Sequence, residues 1–358
     1  MSSAARPVNI LILSLLRLGD AIQHLSLLPW IRQKYPGCHI QMMINDEARS
    51  ILSLVDQDVE FLVFPRRSIQ AELVEKDRNL LFGFVMFHEW IQKNLSKTYD
   101  IVYNFTNTQF SVDLCHWISS REFFGFYRQK GVVSHQGSQW LQYLNDKASE
   151  PFQSEYHYLD LLQKSFFEKD PVPLQNVQSS RMPEKRILFQ IQSSDVKKDL
   201  RLDFWKELAV ILRQELPTYQ VMALGTAKEI QFLSQALAQS PIQWMACDLS
   251  KAKQILSTSA LLVSVDTSIK HLANSVGCPV VELSLGSSDF ILTGARGPMD
   301  SILSSVQDCY PCSHSKACSQ PFHRCEFDFQ AKDVAKIVYE KIQELNHKSE
   351  SLYAKEGV

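Results

Sequence analysis

The stretch Val8-Asn9-Ile10-Leu11-Ile12-Leu13-Ser14-Leu15-Leu16-Arg17-Leu18-Gly19-Asp20 decides the fold. Its first half is a short apolar run without helical period, rich in strand formers, as expected of a strand covered on both faces. A turn follows. Asp20 then opens a segment with apolar residues at Ile22, Leu25, Leu28 and Ile31, which Pro36-Gly37 ends. Strand, turn and helix in this order begin an α/β unit.

The pattern continues outward. His39 to Ile44 reads as a second strand, Asp46 to Leu54 as a second helix, and Phe61 to Phe64 and Ile101 to Phe105 as further strands. Such alternation implies right-handed crossovers and a parallel sheet. From about Ser134 to Pro183 the chain is polar and aromatic with few clear periods, and it holds Pro171, Pro173 and Pro183. This is the expected domain junction.

A second series starts at Arg186. Ile187 to Ile191, Gln220 to Gly225, Ala260 to Val265 and Pro279 to Leu283 read as strands, and Phe204 to Leu216, Ala227 to Ala238 and His271 to Val276 as helices. The expected organisation is a first domain over residues 1–175 and a second over 176–330. A last helix over 331–348 carries the apolar stripe Val334, Ile337, Val338, Ile342 and Leu345 and is expected to pack back toward the first domain. The fold class is two doubly wound, Rossmann-like α/β domains facing across a cleft, where the carboxyl ends of the strands bind ligands.

Composition narrows the function. With 358 residues, 45% hydrophobic and 21% charged, the chain suits two globular domains with their own cores. A net charge of −2 gives no electrostatic case for nucleic acid, although Arg66-Arg67 and the stretch from Arg181 to Arg186 are locally basic. The apolar run Val8 to Leu16 falls far short of the roughly 20 residues of a membrane helix. Arg17 and Asp20 follow it where an export signal needs small residues. The expectation is a cytoplasmic protein with at most peripheral contact at the inner face of the cytoplasmic membrane. Its eight cysteines are then thiols or metal ligands before they are disulfides.

Three places can carry chemistry. Arg17-Leu18-Gly19-Asp20 lies at the carboxyl edge of the first strand, where helix amides keep a carboxylate ionised; an ordinary helix cap is the plain alternative. Neither a dinucleotide fingerprint nor a P-loop occurs. Ser264-Val265-Asp266-Thr267-Ser268-Ile269-Lys270-His271 follows a strand and opens a helix, a geometry suited to a diphosphate, with Asp266 and His271 able to bond sugar hydroxyls. A capped helix followed by a surface histidine is the alternative there. Lys197-Lys198 and Glu229 form the third place, which reads equally as solvated charge.

Together these motifs resemble the bacterial heptosyltransferase family (glycosyltransferase family nine, GT-B fold) over nearly the whole chain. Leu18-Gly19-Asp20, with His24 and Pro29, resembles the family's first-loop motif, which implies that Asp20 is the catalytic base. Asp266-Thr267-x-x-x-His271 followed by Gly277-x-Pro279-Val280-Val281 resembles its donor signature, which implies donor binding by Asp266, Thr267, Ser268 and His271. Lys198, seven residues before Trp205, matches a lysine on donor phosphate, and Glu229 an acidic residue at the nucleoside. The sequence departs from the family pattern at Ser268, where glycine is usual. It departs also at Asp199-Leu200-Arg201 in place of Trp-Pro, and at Gly286-Ser287-Ser288 in place of Gly-Pro-Thr.

The resemblance implies an inverting, metal-independent transfer of heptose from a nucleotide-diphospho-heptose, such as ADP-heptose, to a lipopolysaccharide inner-core acceptor. An autotransporter-type protein heptosyltransferase is the alternative. The acceptor is an anionic or lipid-linked glycan, which Arg66 and Arg67 would suit.

Cys309-x2-Cys312-x5-Cys318-x6-Cys325 is the most distinctive local feature. Four thiols so close suit a structural tetrahedral metal, zinc first and iron second, with His314 or His323 able to replace one thiol. Disulfides or free thiols are the alternatives. They leave open a third function, a metal or redox protein whose sugar site has decayed. Cys38, Cys115, Cys247 and Cys278 read as small buried hydrophobes.

Overall fold

The computed structural model describes residues 6–55, 58–74, 80–149, 154–167, 183–286, 289–312, 318–320 and 323–356. The chain divides into two compact units. The first comprises Met1–Ala148 and Leu159–Pro171, the second Ser149–Tyr158 and Val172–Val358. The expected boundary at 175/176 falls outside the described residues. The junction is also more involved than one crossing, because Ser149–Tyr158 joins the second unit before the chain returns to the first.

The first unit is built on β1 (Asn9–Ser14), β2 (His39–Asn45), β3 (Val59–Phe64), β4 (Tyr99–Asn104), β5 (Ser120–Gln129) and β6 (Val132–Gln136), in the order β3-β2-β1-β4-β5-β6. All neighbours are parallel except β5 and β6. Those two form a tight hairpin at Lys130-Gly131, both at positive φ, the turn that matches strand twist. β1 is central, and Ile10 to Leu13 are at most 1% exposed, which is why its apolar run is uninterrupted.

The expected first helix is two helices, Leu18–Leu25 and Leu28–Lys34, broken where Pro29 enters the first turn of the second. Asp46–Leu54 is a 3₁₀ helix instead of an α-helix. The segment read as junction holds regular structure. Gln139–Ser149 and Tyr158–Phe167 are helices, and the latter buries Leu159, Leu161, Leu162 and Phe166.

The second unit repeats the topology with β7 (Glu184–Gln190), β8 (Gln220–Gly225), β9 (Gln243–Ala246), β10 (Ser259–Val265), β11 (Val280–Ser284) and β12 (Ser301–Ser304). All are parallel, in the order β12-β11-β10-β7-β8-β9. Phe204 and Trp205, fully buried on the helix Leu202–Glu215, anchor its core. The last helix is Ala331–Glu356. Its Val334, Val338 and Ile342 are fully buried in this same core.

Candidate functional site

In the first unit the turn after β1 is braced from both neighbouring strands. Asn45 Nδ2, at the end of β2, donates to Leu15 O at 2.7 Å. Thr106 Oγ1, just past β4, accepts from Leu15 N at 2.8 Å and donates to Leu13 O at 3.0 Å. This turn fixes the start of the helix Leu18–Leu25, where Arg17 N donates to Asp20 Oδ2 at 3.2 Å. Asp20 is therefore a helix cap and a half-buried side chain at the carboxyl edge of the sheet.

His24 lies behind it, fully buried and hydrogen-bonded through Nδ1 to Ser14 Oγ at 2.7 Å. Burial pushes its pKa down to about 3, so the ring is neutral. The unfolded chain, with a histidine near 6.5, binds more protons between those values. Stability from His24 is present above pH 6.5 and lost as pH falls toward 3, at about 1.4 kcal/mol per pH unit. The stability gap between wild type and His24→Gln is therefore expected to narrow by about 2 kcal/mol from pH 6.5 to 5 in urea titrations.

Arg66 and Arg67 are on a helix, Arg66–Val74, directly after β3 at the same sheet edge. Arg67 N donates to Asp46 Oδ2 at 3.3 Å, and its guanidinium, 73% exposed, lies 3.5 Å from Glu47. The adjacent helix Leu80–Asn94 buries Ile91 but exposes Leu81, Phe82, Phe84 and Val85, each by at least 48%.

In the second unit the strand ends gather five of the six expected donor residues. Lys198 ends the 3₁₀ turn Val196–Lys198 after β7. Its Nζ meets Asp266 Oδ2, at the end of β10, at 2.5 Å. Thr267 caps the helix Ser268–Ser275, its Oγ1 accepting from Ile269 N at 3.3 Å. Ser268 starts that helix without positive φ, so the backbone conformation here does not require glycine. His271 is half-buried, and burial, aided by Lys270, pushes its pKa well down. Glu229 is on the neighbouring strand's helix, where Thr226 N donates to its Oε2 at 2.6 Å in a capping box.

Asp266 itself is held between two cations. Both of its oxygens are engaged by lysines, the second by Lys270 Nζ at 2.6 Å. Lys270 is fully buried and also meets Glu282 Oε1 at 2.5 Å. Burial alone would raise the Asp266 pKa, but Lys270 and then Lys198 hold it well below the carboxylate range. Lys270, Glu282 and His157, whose Nε2 donates to Gly294 O at 3.0 Å, are without a role in the motif reading. The signal that could have found the first two is Glu282 itself. A charge inside the buried run Val280-Val281-Glu282-Leu283 requires a partner, and Lys270 stands one helical turn after Asp266.

Cys309, Cys312, Cys318 and Cys325 line one pocket with Lys197, Gly286, Tyr310 and His323. Among the described residues, however, no three His, Cys, Asp or Glu side chains are grouped to hold a metal ion. Burial raises the Cys312 thiol and pushes Cys325 up to about 12. All eight cysteines are free thiols. His314, Ser287 and Ser288 lie outside the described residues.

The pocket is tied to the loop after β11, where Cys312 N donates to Gly286 O at 2.7 Å. Gly286 has φ +105°, and a Cβ there would stand 2.9 Å from Tyr310 Cδ2. Gly286→Ala is expected to cost about 1–3 kcal/mol, read as a lowered Tm.

A family model described as glycosyltransferase family 9 (heptosyltransferase) matches residues 91–323. A search of curated proteins gives no match. Among solved structures, a family 9 glycosyl transferase from Veillonella parvula is 15% identical, with a TM-score of 0.71 over 96% of this chain and 100% of its own. E. coli heptosyltransferase WaaC with ADP is 15% identical, with a TM-score of 0.64 over 93% and 100%. TibC, an iron-containing dodecameric glycosyltransferase from enterotoxigenic E. coli, is 12% identical, with a TM-score of 0.52 over 95% and 77%. At these identities the likeness carries the fold, two parallel-sheet α/β units of the GT-B kind.

Proposed function

Because the chain belongs to glycosyltransferase family 9 (heptosyltransferase), we propose that it moves heptose from ADP-heptose to the inner core of lipopolysaccharide, with inversion at the anomeric carbon. The observation that carries this reading is the Lys198–Asp266 pair beside the Thr267-capped helix. It is a cation and a set of amides at one strand end, which together suit a departing diphosphate. WaaC, which shares the fold, has been solved with ADP and with ADP-2-deoxy-2-fluoro heptose, which supports the choice of nucleotide.

In this mechanism Asp20 takes the proton of the acceptor hydroxyl as that oxygen bonds to the anomeric carbon. The bond from that carbon to the diphosphate breaks, and the departing charge is met by Lys198, the Thr267 hydroxyl and the Ser268 amide. His271, neutral, serves as a hydrogen-bond partner for donor oxygens, and Glu229 faces the nucleoside. No metal takes part in these steps, and the cysteine pocket stays outside them.

Arg66 and Arg67 suit an anionic acceptor, and exposed Leu81, Phe82, Phe84 and Val85 suit a lipid-linked one at a membrane surface. Among the described residues no helix is long and apolar enough to cross a membrane. The reading is tested by incubating the protein with ADP-heptose and heptose-free lipopolysaccharide and following ADP release and glycolipid mass. The expected result is acceptor-dependent ADP release with one heptose added. Transfer to protein in place of glycolipid would replace the acceptor, and no turnover of ADP-heptose would overturn the donor.

A further inference from the structure

Four formal charges alternate along a line running from the strand-end surface of the second unit into its core. Lys198 Nζ meets Asp266 at 2.5 Å, Asp266 meets Lys270 Nζ at 2.6 Å, and Lys270 Nζ meets Glu282 at 2.5 Å. Glu282 Oε2 ends the line by accepting from Ala295 N at 2.6 Å. Side-chain exposure falls from 14% at Lys198 and 11% at Asp266 to 0% at Lys270 and 1% at Glu282.

Stability alone is a poor reason for such a line, since a buried ion pair is often matched by well-packed apolar residues. Its arrangement around Asp266 suggests a different use. A diphosphate arriving at the strand end competes with Asp266 for Lys198. Were Lys198 its sole partner, Asp266 would either keep the lysine and weaken binding, or be left as a nearly buried anion beside a second anion. A carboxylate in that position takes up a proton. Lys270 removes the conflict, because it cannot leave: it is enclosed, and Glu282 holds it from behind.

Resting on the donor reading above, we propose that Lys270, held by Glu282, is a positioning residue that keeps Asp266 ionised and in place while Lys198 turns to the donor diphosphate. The groups facing Asp266 are Lys270 and His271 from the helix it precedes and Lys198 from the turn after β7. Glu282 of β11 and His157 of the returning segment lie behind. Burial keeps both histidines neutral, His157 at about 3 and His271 well below its usual value. Near neutral pH, Asp266 is thus the group whose protonation would change if Lys270 were lost.

The test is calorimetric titration with ADP-heptose, without acceptor, from pH 5.5 to 8.5; its diphosphate is a diester and does not titrate there. In wild type the Kd is expected to stay within about twofold across this range, and binding is expected to take up no proton when enthalpies are compared in buffers of different ionisation heat. Lys270→Met alone strands Glu282. The informative variant therefore combines Lys270→Met with Glu282→Gln, which keeps an acceptor for the Ala295 amide. Its affinity is expected to fall as pH rises, approaching tenfold per pH unit, as Asp266 takes up one proton on binding.

A variant profile as flat as wild type overturns the proposal and leaves the donor reading intact. Uptake of half a proton or more by wild type at pH 7 overturns it without need of any variant. Failure of wild type to bind ADP-heptose at every pH removes the donor reading and this inference with it.

Discussion

Asp20→Asn is expected to lower kcat for heptose transfer by about 10²–10⁴-fold, the range for loss of a general base. Asparagine retains a carbonyl oxygen to accept from Arg17 N, so the helix start that the carboxylate caps should survive the change. Affinity for ADP should also survive, because the groups proposed to hold the nucleotide lie in the second unit. The measurement is steady-state transfer from ADP-heptose alongside ADP binding and a thermal melt. A variant with an unchanged melt, unchanged ADP affinity and more than a third of wild-type kcat would remove Asp20 from the base role.

Glu282→Leu should be the most damaging single change to stability, costing about 3–5 kcal/mol. Leucine fits a strand of valines and leucines by size and propensity. It nevertheless leaves Lys270 fully buried with one carboxylate where it had two, and leaves the Ala295 amide without its acceptor. A urea titration followed by tryptophan emission reads this, since Trp205 is fully buried in the core of the same unit. A loss below 1 kcal/mol would mean that the line of charges relaxes toward solvent when cut.

Much of the fold was legible because the central strands are covered on both faces. β1 and β10 read as mainly apolar runs and β11 as one interrupted by Glu282, and turns with Asp, Thr or Gly follow them. The edge strands β9 and β12 were not legible. They are four residues long and half exposed, too short for any period to show. The two helices between β6 and β7 were hidden by polar and aromatic residues whose burial depends on tertiary neighbours.

The candidate site divides the same way. Its positions at strand ends follow from local order in the sequence. Side-chain direction does not: the i,i+4 spacing of Asp266 and Lys270 allows their contact, whereas that of Lys198 with Asp266, 68 residues away, has no sequence signature of its own. Proximity of the four cysteines was legible from their spacing, and they do line one pocket. Shared lining is a weaker condition than convergence of three ligands on one point, and among the described residues no such group of three is present.

The return of Ser149–Tyr158 to the second unit has a practical consequence for anyone dissecting the chain. Ser154 N donates to Asp289, and His157 donates to Gly294, both within that unit. A fragment beginning after Pro171 would carry all six strands of the second sheet yet leave the Asp289 carboxylate and the Gly294 carbonyl without these donors. Severing a single peptide bond therefore cannot yield two self-sufficient halves, because the residues of the two units alternate along the chain.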